Sequence, residues 1–166
     1  GPCVERILGA GIAGVVVAVE DPDPRVNGAG IRRLRDRGIK VIVGVRGKEA
    51  ARLNEAFFTV NRLSRPFVTM KVAVSLDGRI TAKRGRRTPM TGAVADEHAH
   101  TVRAEVDAIG VGSETMLVDD PLLTARGRNR HRPLVRVIFD TRMRTSPVAR
   151  VLTTLVEGPV VIMTTD

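Results

Sequence analysis

The sequence predicts an α/β protein whose strands lie mostly parallel, and three observations carry that reading. Short apolar runs rich in Val and Ile recur along the 166 residues, separated by spans with helical spacing. Between residues 65 and 126 one apolar run breaks into the turn Ser75-Leu76-Asp77-Gly78, and a second enters a glycine loop, Gly110-Val111-Gly112-Ser113-Glu114-Thr115. The alternation also stops once, at the polar, proline-ended stretch 62–66, and then restarts, which marks a linker between two parts. In such architectures ligands occupy crevices beyond the carboxyl ends of the strands.

Residues 4–10 predict a short helix and residues 14–20 (GVVVAVE) a buried strand, ended by Asp21-Pro22-Asp23-Pro24. Over 30–37, Ile31 and Leu34 share one helical face among arginines, and Gly38 stands where a helix-ending glycine is expected. A second buried strand is predicted over 39–45. The span 48–61 carries Ala50, Leu53, Ala56, Phe57 and Val60 at helical spacing and predicts one amphipathic helix. Beyond the linker, strands are predicted over 67–74 and 79–82, and a helix over 93–105 carries His98 and His100. A strand over 106–111 leads into a loop with Asp119-Asp120-Pro121, then a basic loop over 126–132, and residues 135–139 and 160–163 predict two further strands.

Composition narrows the function classes. The chain carries 27 Lys plus Arg against 18 Asp plus Glu, which attracts polyanions: nucleic acid, phosphorylated metabolites or nucleotide cofactors. It holds four Phe and neither Trp nor Tyr, so the stacking platform that single strands use is nearly absent, and the basic residues are scattered over both halves. These features argue against nucleic acid as the partner. No apolar run approaches the roughly 18 to 20 residues that span a bilayer, so no membrane partner is expected and the cytoplasm is the expected compartment. The single cysteine, Cys3, allows no internal disulfide. His98 and His100 are two apart on a helix and point away from each other, unlike the i, i+4 pair of a helical zinc site.

Read singly, the motifs leave alternatives open. The Asp77-Gly78 pair is a strong turn signal whatever its function, and Asp119-Asp120-Pro121 reads equally as turn chemistry. The arginines at 84, 86 and 87 and those from 126 to 132 read as solvated loops when taken one at a time. The Gly110-x-Gly112 loop offers backbone N–H groups to a pyrophosphate but lacks the full dinucleotide fingerprint.

Taken together and in order, the residues resemble a known family. Cys3, Ala10-Gly11-Ile12, Glu20-Asp21-Pro22-Asp23-Pro24, Val26, Gly28-Ala29-Gly30, Gly38-Ile39, Leu53-Asn54 and Phe57 are similar to the latter part of the deaminase domain of bacterial riboflavin-biosynthesis bifunctional deaminase-reductases. Arg65-Pro66-Phe67-Val68, Lys71, Ser75-Leu76-Asp77-Gly78, Arg103-Ala104, Asp107-Ala108, Asp119-Asp120-Pro121, Leu123-Thr124 and Arg126 resemble the start of that family's reductase domain. The resemblance implies the C-terminal part of a cytidine-deaminase-like domain over 1–61, a linker over 62–66 and the N-terminal part of a dihydrofolate-reductase-like domain over 67–166.

The resemblance also implies chemistry. The first domain would deaminate a phosphoribosylated diaminopyrimidine at zinc, and the second would use NADPH to reduce the ribosyl unit to ribityl. Of the zinc machinery, a His-Ala-Glu segment and two cysteines, Cys3 matches the second cysteine, so this chain is expected to be a fragment that does not deaminate. NADP contacts carry over to Ala73, Val74, Pro89, Thr115, Asp119 and Thr141, and substrate contacts to Arg87, Arg103, Leu123 and Arg126. A guanidinium fork suits a phosphate, and Arg142 and Arg144 would favour the 2′-phosphate of NADPH. No side chain stands out as a general acid or base.

Two departures from the family pattern bear on the site. Arg87-Thr88-Pro89-Met90-Thr91 stands where many relatives have Ser-x-Trp-Ile-Thr, which favours as an alternative another NADPH-dependent reductase of the same superfamily; a noncatalytic basic module is the remaining one. Glu114 stands where a glycine is usual, a charge unfavourable beside a pyrophosphate unless it points outward. A fragment of a parallel sheet would expose a strand edge, which predicts a homo-oligomer or an unstable chain.

Overall fold

The computed structural model describes residues 3–26, 28–127 and 129–165. The chain divides into two compact units between Met70 and Lys71.

The first unit opens on α1 (Cys3–Gly9) and β1 (Gly14–Val17), continues through α2 (Ala29–Asp36) and β2 (Lys40–Val43), and ends on α3 (Gly47–Leu53) and α4 (Glu55–Leu63). β1 and β2 pair in parallel, with Gly14 opposite Lys40 and Val17 opposite Val43. The Val-rich runs predict strands covered on both faces, but the burial alternates: Val16 is 61% and Ile42 46% exposed, so one face of the pair is open. Leu34 of α2 and Phe58 of α4 are buried. The single helix expected over 48–61 is two helices. Asn54 breaks it with φ −116° and ψ 27°, its side-chain amide donating to the Ala50 carbonyl at 3.0 Å. A polar side chain that bonds the backbone four residues back competes with the helix ladder there.

The second unit begins with a segment that carries neither helix nor strand as far as Gly92. The strands expected over 67–74 and 79–82 are absent because no neighbouring strand pairs with those residues; their apolar side chains lie open, Val68 at 72% exposure. The Ser75-Leu76-Asp77-Gly78 turn closes on itself: Gly78 N–H donates to the Ser75 carbonyl at 2.9 Å, Ser75 N–H to the Arg79 carbonyl at 2.9 Å, and Arg79 Nε to the Asp77 carboxylate at 2.9 Å.

Regular structure resumes with α5 (Ala93–Glu105), β3 (Ala108–Gly112), α6 (Ser113–Asp119), β4 (Val135–Phe139) and β5 (Val160–Met163), with a 3-10 turn over Leu155–Glu157. The three strands form a parallel sheet in the order β3-β4-β5, Gly112 opposite Phe139 and Phe139 opposite Met163. Its core gathers Met116, Leu123, Ile138, Ala149 and Val151, with Ile109, Val111, Leu152, Val160 and Ile162 packed against them. The stretch 113–119, expected as loop, is helical because Met116 turns inward onto the sheet while polar neighbours face out, and Asp120 ends it in the left-handed region at φ 40°. Among the described residues no helix is long and apolar enough to cross a membrane.

Candidate active site

Three parallel strands end together at one edge of the second unit, and three of the six residues expected to hold a cofactor, Thr115, Asp119 and Thr141, lie on the segments that leave β3 and β4 there. β3 ends at Gly112, from which α6 starts directly, carrying Thr115 and ending at Asp119. β4 ends at Phe139 beside it, followed by Asp140 and Thr141. A Cβ at Gly110 of β3 would lie 2.9 Å from Cε2 of the exposed Phe139 ring, so the bare position lets that ring lie over the strand.

Asp140 organises the loop beyond β4. Fully buried, it accepts from the backbone N–H and the hydroxyl of Thr145, each at 2.7 Å. Those bonds, with further backbone N–H donors from Arg142 and Arg144, hold its carboxyl below the ordinary carboxylate range. Its second oxygen, Oδ1, is buried without a partner among the described residues. The fold of this loop brings Arg144 across to the start of α6, where it donates to the Ser113 hydroxyl at 2.6 Å and pairs with the Glu114 carboxylate at 3.5 Å. The unfavourable charge expected of Glu114 is thereby met by a cation, and the carboxylate is 61% exposed. Arg142 and Thr141 remain exposed on the same loop.

The edge suits a dinucleotide: a bare glycine at the strand end, backbone running straight into a helix start, and arginines on the adjoining loop. The Arg87 guanidinium lies 4.0 Å from the Asp119 carboxylate, which brings a residue expected at the substrate to one expected at the cofactor. No hydrogen bond or ion pair among the described residues ties Ala73, Val74 or Pro89 to this edge; Val74 and Pro89 are exposed and Ala73 is half-buried.

The other substrate candidates, Arg103, Leu123 and Arg126, lie on α5 and on the segment after α6. Arg103, half-buried, donates from Nη1 to the Thr124 carbonyl at 3.4 Å. Burial first, and then the nearby Arg126, disfavours the charge on Arg103. Arg130 clamps the end of α5, donating to the carbonyls of Arg103 and Val106, the latter at 2.6 Å. Leu123 has its side chain in the core at 3% exposure and its backbone at φ 55°, so any ligand contact it makes is through the backbone. A cavity of about 590 Å³ opens beside this cluster, lined in part by Thr124, Arg126, Arg130 and His131.

Cys3 opens α1 and is exposed. Zinc does not fit the residues present, because no group of three or more His, Cys, Asp or Glu side chains converges among the described residues. Sequence reasoning passed over Asp140, whose signal was an aspartate at a strand end ahead of turn residues. It also passed over the pairing of Arg144 with Glu114, which joins positions 30 residues apart and leaves no local signal.

A profile of the family described as RibD C-terminal domain matches residues 66–166. The chain is similar to a riboflavin biosynthesis protein RibD of Aquifex aeolicus, 40% identical over 163 residues that make up 98% of this chain and 46% of the relative. It superimposes with a TM-score of 0.85, at 38% identity, on a diaminohydroxyphosphoribosylaminopyrimidine deaminase/5-amino-6-(5-phosphoribosylamino)uracil reductase of Thermotoga maritima, covering 98% of this chain and 46% of that one. A RibD of Acinetobacter baumannii matches with a TM-score of 0.83 at 34% identity, over 99% of this chain and 47% of that one. The chain thus spans about half the length of the relatives it matches. With that profile covering well over half of its residues, the chain belongs to the RibD family.

Proposed function

We propose that the second unit carries the NADPH-binding front of a reductase of riboflavin biosynthesis, acting on 5-amino-6-(5-phosphoribosylamino)uracil in the cytoplasm. The observation that carries this reading is the family match over residues 66–166. The first unit, on the same reading, is the back of a cytidine-deaminase-like domain, and Cys3 contributes a zinc ligand only in company with residues this chain does not contain. Its reductase unit works with further subunits of its own kind, in a homo-oligomer.

When bound, NADPH supplies a hydride from its nicotinamide C4 to the C1′ carbon of the opened ribosylamine. The residues of this chain bind and orient. The backbone from Gly110 to Thr115 faces the pyrophosphate, with Thr115 and Asp119 along α6 and Thr141 beyond β4 contacting the cofactor, together with Ala73, Val74 and Pro89. Arg142 stands next to Thr141, free to meet a 2′-phosphate. Arg103 and Arg126 hold the substrate phosphate, Leu123 contributes its backbone, and the closeness of Arg87 to Asp119 supports a substrate lying against the cofactor. Holding both reactants in line supplies much of the rate acceleration in a reaction of this kind.

The reaction is tested by supplying the phosphoribosylaminouracil and following NADPH absorbance, with substrate-dependent loss as the expected result. Bound NADPH that is not consumed with this substrate would favour the second reading, a different reductase of the same superfamily, for which the altered stretch Arg87-Thr88-Pro89-Met90 is the specific ground.

A further inference from the structure

The loop beyond β4 reaches the start of α6 through the side chain of Arg144. Its Nη2 donates to the Ser113 hydroxyl at 2.6 Å, and its Nη1 stands 3.5 Å from the Glu114 carboxylate. The two contacts differ in kind. The first is a short hydrogen bond to a neutral group, which places the guanidinium without cancelling its charge. The second is longer than the roughly 2.7 to 2.9 Å of a charge-assisted hydrogen bond and lies open to water, with Arg144 42% and Glu114 61% exposed. An ion pair of that kind holds its partners weakly.

The place of Arg144 does not depend on Glu114. Buried Asp140 holds the N–H and hydroxyl of Thr145 at 2.7 Å each, so the residue next to Arg144 is fixed from the sheet side, and Ser113 fixes the guanidinium from the α6 side. Its Nη1 is therefore presented to whichever anion binds it best. A phosphate monoester is the stronger candidate. It carries about 1.5 to 2 negative charges near pH 7 against the single charge of a carboxylate, and its oxygens match the guanidinium fork. On a dinucleotide lying along this edge, the group of that kind that NADPH has and NADH lacks is the 2′-phosphate.

We propose that Glu114 is a specificity-determining residue: its carboxylate competes with the 2′-phosphate of the cofactor for Arg144, and so narrows the preference of this edge for NADPH over NADH. The inference rests on the reading of this edge as the NADPH site. In the free chain the carboxylate stands in for the phosphate. When the 2′-phosphate arrives, the exposed Glu114 side chain turns to water and Arg144 keeps its bond to Ser113. The displaced ion pair is a cost that NADPH meets and NADH does not. Removing the charge at 114 returns that cost to NADPH alone.

The test is a set of NADPH and NADH titrations, read by the fluorescence of the reduced nicotinamide at constant ionic strength. They are run on the unaltered chain, Glu114→Gln, Arg144→Gln and the double variant. Glutamine at 114 keeps the shape of the side chain and removes its charge; glutamine at 144 keeps an amide donor for Ser113 and removes the cation. The expected result is that Glu114→Gln raises the ratio of NADPH to NADH affinity about two- to fivefold. In the Arg144→Gln background the same substitution should leave the ratio where it is, because no cation remains to compete for. The ratio separates this role from a general repulsion of the pyrophosphate, which would act on both cofactors alike. A ratio that stays or falls in Glu114→Gln, or a gain that persists without the arginine, would overturn the competition while leaving the cofactor site standing. An unaltered chain that binds neither cofactor would overturn the competition and the reading beneath it.

Discussion

Asp140 grips Thr145 through both the backbone N–H and the hydroxyl, each at 2.7 Å, and this double contact shapes the loop that carries Thr141, Arg142 and Arg144. Because the bonds favour the ionised form, the folded Asp140 protonates below its ordinary value of 3.8. Its contribution to stability is thus complete above pH 3.8 and is lost as pH falls from there through the folded value. Asp23, lowered to about 2 by its hydrogen bonds from Arg25, acts in the same window with the same sign. Acid unfolding followed by far-ultraviolet circular dichroism should show Asp140→Asn less stable than the unaltered chain at pH 7, and the gap between them narrowing below pH 3.8.

Arg136, fully buried in the middle of β4, forms no ion pair among the described residues and turns its Nη groups to the Leu122 carbonyl and to the loop after Ala149. It donates to the Thr154 hydroxyl and carbonyl, each at 2.9 Å, and to the Gly158 carbonyl. Arg136→Met fills similar space but leaves those buried acceptors unpaired. The expected loss is about 2 to 3 kcal/mol in urea unfolding, with no change in the parallel sheet reported by circular dichroism.

Gly158 tolerates no side chain. Its φ of 144° lies in the region that favours glycine, and a Cβ there would come within 2.4 Å of the Leu134 carbonyl oxygen, an atom of the backbone that cannot swing aside. Gly158→Ala should cost about 1 to 3 kcal/mol, read as a lowered thermal midpoint, whereas alanine at Gly112, where no atom lies within 4 Å of the added Cβ, should be mild.

The two arginines beyond β4 have different tasks. Arg144 is engaged with Ser113 and Glu114, while Arg142 is exposed on the same loop. Arg142→Ala should lower NADPH affinity about tenfold, or roughly 1.4 kcal/mol, and leave NADH affinity unchanged, as measured by calorimetric titration. Equal losses for both cofactors would remove the 2′-phosphate from its role.

Parts of this fold were plain in the sequence and parts were not, for physical reasons that particular residues show. The strand at Val135–Phe139 stands where the apolar pattern puts it because it pairs with a strand on each side, and the helix at Ala93–Glu105 has the bounds expected of it. The break at Asn54 was hidden because apolar spacing continues through it while one side-chain amide diverts the backbone. The strand over 67–74 failed since alternation shows only that a segment can pair, and pairing needs a neighbour elsewhere in the chain. At the site, the residue types were legible, but the joining of Arg144 to Glu114, and of Arg103 to the Thr124 carbonyl, arises only from the crossing of distant segments.

The central claim, a nucleotide site at the carboxyl ends of β3 and β4, is tested most directly by following the backbone amides of the chain by NMR during titration with NADPH. The absence of Trp and Tyr leaves the fluorescence of NADPH itself as a clean parallel readout of affinity. The account predicts saturable shifts concentrated in residues 110–119 and 140–145, larger for NADPH than for NADH. Binding that moves other amides and leaves those two segments still, or no binding at all, would contradict it.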